Sequence, residues 1–151
     1  MTLPFRLLIA ACCATPLAQA APLTSFFPER ELGRFLADNF DLASVRSSFG
    51  PRRTPERRTF TDFGLVASKA GDDVLEFDEE RWFYQLRVTR RADINGDGIE
   101  DLELCFTDRA KGGSYDSRKG LLVSRYSDET YAVALSYEIE GCTPPKPVRK
   151  K

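Results

Sequence analysis

The feature that most constrains this chain is a two-residue alternation of apolar and polar side chains over its second half. In "RWFYQLRVTRR", Arg81 to Arg91, the residues Trp82, Tyr84, Leu86 and Val88 share one side, with Gln85, Arg87 and Thr89 on the other. "EDLELCF", Glu100 to Phe106, repeats the pattern with Leu102, Leu104 and Phe106. A strand places successive side chains on opposite faces, so this period marks strands with one face buried and one wet, as antiparallel sheets have. Further strands are predicted in "TFTDFGLVA" (59–67), "DVLEFD" (73–78), "GLLVSRYS" (120–127) and "ETYAVALSYEI" (129–139), the last two separated by the turn Ser127-Asp128-Glu129. Consecutive strands with short links predict an antiparallel β-meander of four or more strands. Before them, "FFPERELGRFLADNF" (26–40) carries Leu32, Phe35, Leu36 and Phe40 at helical spacing, with Pro28 at its start and Glu29 and Glu31 in its first turn. That predicts a helix of about three turns packed on one face of the sheet, an α+β fold.

The two ends read differently from this body. "MTLPFRLLIAACCATPLAQA" has Arg6 as its only charge, an apolar run from Leu7 to Ala14, and a small-x-small ending at Ala18-Gln19-Ala20. That is the pattern of a secretory signal peptide, 1–20, and the apolar run is too short to span a bilayer. A second reading takes Ile9-Ala10-Ala11-Cys12 as a lipoprotein box with Cys12 lipidated. Either way the expected location is periplasmic or secreted, in a bacterium. The tail "TPPKPVRKK" (143–151) is basic and Pro-rich and is expected to be disordered. Residues 21–142 then form a single α+β domain, expected to be monomeric. Two cysteines remain in it, Cys105 and Cys142, and an even pair in an oxidising compartment predicts a disulfide. Closing a loop of about 36 residues stabilises by about 3–4 kcal/mol on the chain-entropy estimate.

Charge and composition exclude several chemistries. With 22 basic and 23 acidic residues, no net field draws the chain to nucleic acid. It has no histidine, so His-based triads and His-ligated zinc are ruled out.

One segment crowds carboxylates between two strands. In "DINGDGIED", counting Asp93 as position 1, oxygen-bearing side chains fall at 3 (Asn95), 5 (Asp97) and 9 (Asp101). Gly98 stands at 6, where calcium loops turn sharply, and Ile99 at 7, where they donate a carbonyl. Asp93, Asn95, Asp97, Ile99 and Asp101 with one or two waters would supply the six to eight oxygens, at about 2.3–2.6 Å, that Ca2+ requires. Magnesium prefers fewer protein ligands. Without an ion the carboxylates would repel one another, so a frayed or partly protonated loop is expected. A bare type I′ hairpin turn also uses Asn-Gly or Asp-Gly, and Arg90 and Arg91 stand nearby to offset the charge. Position 12 is Leu104 and the flanks are strands, both unlike an EF-hand. The form Asp-x-Asn-x-Asp-Gly-x-x-Asp-Leu, Asp93 to Leu102, resembles the calcium loops of FG-GAP and VCBS repeats, which implies a calcium site between two strands. Over Trp82 to Cys142 the chain also resembles a group of uncharacterised bacterial exported proteins, which implies export and a meander but no activity.

Three other segments each allow a functional and a structural reading. "SSFGPRRTPERRTF" (47–60) is a loop with Arg52, Arg53, Arg57 and Arg58, either solvated or an anion patch. Trp82, Phe83 and Tyr84 read as strand core rather than a stacking platform. "KGGSYDSRKG", Lys111–Gly120, reads as a loop between strands. It lacks both the Gly-x-Ser-x-Gly pattern and the Gly-Lys-Ser/Thr ending of a phosphate loop. The expected function is an exported, calcium-binding, disulfide-stabilised and non-enzymatic domain. The alternative is a periplasmic inhibitor or partner-binding protein that meets a protein or cell-envelope partner through Lys111–Gly120.

Overall fold

A computed structural model describes residues 22–142. The leader with Cys12 and the tail 143–151 lie outside the described residues. Helix α1 (Leu32–Asn39) precedes six strands: β1 (Lys69–Ala70), β2 (Val74–Asp78), β3 (Trp82–Ala92), β4 (Asp101–Ala110), β5 (Asp116–Ser124) and β6 (Val133–Ser136). They form one antiparallel sheet whose spatial order is the chain order, β1 to β6, a meander with α1 packed against its first two strands. The α+β expectation holds.

The alternation sorts the sheet into two faces. Tyr84, Leu86, Leu102, Leu104, Phe106, Leu121 and Val123 are buried on the inner face. α1 adds Leu32 and Leu36, and the irregular stretch between α1 and β1 adds Leu42, Val45, Phe49 and Phe60. Phe60 sits at the centre of an aromatic cluster, with ring centroids of Phe77 at 4.7 Å, Phe49 at 5.9 Å, Phe40 at 6.1 Å and Phe106 at 6.4 Å. Between Val88 and Arg90 the register of β3 against β4 shifts at a bulge. One extra residue reverses the alternation, so Arg91 falls opposite the buried Leu102 while Arg90 falls opposite Glu103.

Three elements differ from expectation. α1 starts at Leu32, not near Pro28, and spans eight residues, about two turns. Glu31 holds a left-handed conformation at φ 54° while its amide donates to Asp72 Oδ1 at 2.6 Å, so the helix cannot extend backwards through it. "TFTDFGLVA" is a run of turns rather than a strand. The Asp62 carboxylate accepts from the amides of Arg58 (2.9 Å) and Thr59 (2.8 Å), a local bond that competes with a ladder. Finally, the loop expected over Lys111–Gly120 is a tip of five residues, Lys111 to Tyr115. From Asp116 the chain already pairs with β4, Asp116 opposite Arg109 and Gly120 opposite Cys105.

Cys105 of β4 is disulfide-bonded to Cys142, with Cα atoms 5.6 Å apart. The bond pins the segment after β6 to the outer face of the sheet. That segment crosses β5 at Gly120, whose carbonyl accepts from Tyr137 N at 2.9 Å. A Cβ at position 120 would lie 2.3 Å from the Tyr137 carbonyl oxygen, so the crossing needs glycine. Among the described residues no helix is long and apolar enough to cross a membrane.

Candidate metal centre

The acidic turn is the β3–β4 connection, and its side chains are engaged by the turn's own backbone. Asp93 Oδ1 accepts from the amides of Gly96 (2.7 Å) and Asp97 (3.1 Å), and its Oδ2 from Gly98 (2.9 Å). Asn95 Oδ1 accepts from Asp97 N at 2.9 Å, while Asn95 Nδ2 donates to Asp97 Oδ2 at 3.0 Å. Asp97 Oδ1 accepts from Ile99 N at 2.8 Å. Gly96 and Gly98 have φ of 82° and 83°, a region that side chains with a Cβ rarely enter, and this lets successive amides turn inward. Amide donors of the turn thus face the carboxylates of Asp93 and Asp97.

Asp101 stands apart from that group. It is fully buried at the start of β4, and its Oδ2 accepts from Ile94 N (3.1 Å) and Asn95 N (3.3 Å). Its Oδ1 accepts from the hydroxyl of Ser124 on β5. Asp101 thus anchors the near end of the turn to the sheet. Ile99 forms a parallel bridge with Thr24: Thr24 N donates to Gly98 O (3.1 Å) and Glu100 N to Thr24 O (2.7 Å), which leaves the Ile99 carbonyl outside that pairing. Among the described residues, no three His, Cys, Asp or Glu side chains converge closely enough to hold a metal ion.

The neighbouring arginines do not neutralise the turn. Arg90 pairs with Glu103 at 3.4 Å, and Arg91 with Glu100 at 2.7 Å. Arg91 also donates to the Pro28 carbonyl, and Ser25 Oγ donates to Glu100 Oε2 at 2.6 Å. Burial pushes the Glu100 carboxyl up, but the hydrogen bonds from Arg91 and Ser25 and the charge of Arg91 outweigh it and hold the group below its ordinary range. Sequence reading missed this clamp. Its signal was the odd spacing of Arg91 relative to the alternating residues of β3, which only a bulge explains.

The basic loop is also consumed internally. Arg53 donates to the carbonyls of Leu42 and Val45, and Arg58 is paired with the buried Asp41. Arg52 and Arg57 lie over the rings of Phe49 (5.3 Å) and Phe63 (4.6 Å). Trp82 and Tyr84 pack on the core, with Tyr84 buried, and Phe83 faces outward.

A second polar cluster went unnoticed in the sequence. Asp108, buried on the inner face, accepts from Ser48 N at 2.6 Å and from the Tyr115 hydroxyl at 3.3 Å. Burial, with the Asp108 charge and hydrogen bond adding to it, raises the Tyr115 hydroxyl above its ordinary range. This cluster ties the loop before η1 (Gly50–Arg52) to the far end of β4.

Comparison of the chain with protein-family models, with curated proteins and with solved structures finds no match.

Proposed function

We propose that this chain is an exported, non-enzymatic domain in which the β3–β4 turn binds Ca2+ as a structural ion. The observation that carries the reading is the crowding of Asp93, Asn95 and Asp97 on one tight turn between two strands, with Asn95 and Asp97 side chains touching. Asp93 Oδ2 and Asp97 Oδ1 each accept a single amide and keep a second lone pair, which an ion can use without breaking the turn. The Ile99 carbonyl and Asp101 complete the proposed donor set, with Asp101 also holding the turn to β5. Export rests on the signal-peptide pattern of residues 1–20 and agrees with the Cys105–Cys142 disulfide. The non-enzymatic reading rests on a chain without histidine and without a sequence motif that pairs a nucleophile with a base.

Binding to the folded state alone stabilises it by mass action. Thermal unfolding in EDTA and then in millimolar calcium should show a rise of several degrees, and Asp97→Ala should abolish it. An unchanged midpoint in the parent protein would reduce "DINGDGIED" to a self-capped hairpin turn. The second reading, partner recognition through Lys111–Gly120, contracts to the exposed tip, where Tyr115 packs edge-on against Trp82 at 5.7 Å. Its test is whether exchanging Gly112 to Ser114 changes the proteins captured from a periplasmic extract.

A further inference from the structure

The outer face of the sheet carries a groove of about 390 Å³ whose wall is the disulfide-pinned segment Ile139–Cys142. Arg87 of β3, Arg109 of β4 and Arg118 of β5 line it from three adjacent strands, and Glu140 is the one carboxylate in the lining. None of the three arginines makes an ion pair among the described residues. Arg118 Nε is buried and has no hydrogen-bond partner. Arg109 lies over the Phe83 ring, 5.2 Å from its centroid, a cation–π contact. Glu76 and Asp116 sit in register with Gln85 and Arg109 on this face but outside the lining, and Glu76 is bonded to Gln85.

Three guanidinium groups face one groove with a single carboxylate in its lining, and a buried unpaired N–H is costly to leave unmet. An anion with several oxygens in the groove would meet that N–H and offset the excess positive charge. We propose that this groove binds a phosphate-bearing small molecule of two or more negative charges. The net charge of the lining, three arginines against one glutamate, matches a dianion. Guanidinium forks suit the tetrahedral oxygens of phosphate, and the volume falls within the range of small-molecule sites. The disulfide then has a second role: it holds the Ile139–Cys142 wall at its distance from β3.

The test is calorimetric titration of the full chain in calcium-free buffer at low salt with inorganic pyrophosphate, citrate and a neutral disaccharide. Pyrophosphate should bind, and weaken as salt is raised. Arg118→Ala and Arg87→Ala should each weaken it by about tenfold, the loss of one charge-assisted contact. Arg34→Ala, on the exposed side of α1, should leave it unchanged. Arg87 is exposed, so its variant reports on binding even where Arg118→Ala fails to fold. Absence of pyrophosphate binding, equal loss in Arg34→Ala, or a preference for citrate over pyrophosphate would each overturn the proposal. None of these outcomes depends on whether the β3–β4 turn takes calcium.

Discussion

At the scale of single residues, the strongest constraints come from places where one atom more or less decides the packing. Gly120→Ala forces a methyl group into the Tyr137 carbonyl, and its backbone neighbours cannot yield as a side-chain end would. We expect a destabilisation of about 1–3 kcal/mol, read from urea unfolding. Phe60→Ala removes the central ring of the aromatic cluster and should cost about 3–5 kcal/mol by the same measurement. Asp62 makes a subtler case. Burial pushes its carboxyl up, yet the amides of Thr59 and Arg58, the Thr59 hydroxyl and the Arg57 charge together hold it below its ordinary range. A carboxyl depressed in the folded state contributes stability above its unfolded pKa, about 3.9 for Asp, and loses that contribution as pH falls through the lower folded value. NMR titration should therefore place the Asp62 carboxyl below free aspartate, with the Arg58 and Thr59 amides shifting in step. Asp62→Asn should flatten that response.

At the scale of elements, what was legible depended on how far the cause of each element lies within it. β3 and β4 could be read from alternation alone, because each is long and buries one face. The inward set Leu102, Leu104 and Phe106 followed directly. α1 was legible as a helix but not in its limits, because its start is set by Asp72, 41 residues away, capturing the Glu31 amide. "TFTDFGLVA" has a strand's composition, yet its Asp62 bonds to the backbone locally, and Phe60 is drawn into the core from a turn. The five proposed ligands were found as a spacing. What spacing could not reveal is that Asp101 serves the hydroxyl of Ser124 from another strand, or that the amides of the turn already occupy Asp93. The cysteine pair was legible from count and compartment. Replacing both Cys105 and Cys142 with serine should cost about 3–4 kcal/mol in denaturant unfolding, since the cross-link spans 37 residues.

At the scale of the whole molecule, two kinds of tie act on the same sheet. The ladders join each strand to the next, while a few long-range links close the ends. Thr24 bridges to Ile99, Phe40 bridges to Ala132, and Arg125 reaches the Phe26 carbonyl at 2.6 Å. The edges are short, two residues in β1 and four in β6, which limits pairing with other chains. Strand order identical to chain order also carries a kinetic meaning. Each new strand finds its template in the segment that emerged just before it, so the sheet can grow as a zipper with small loops to close at every step. The N-terminal arm must wait for that sheet, because Thr24 bonds to the β3–β4 connection and Phe26 to the β5–β6 connection, both made later. Cys142 follows β6, the last strand of the sheet, so the cross-link acts as a seal on a finished sheet rather than a guide to its assembly.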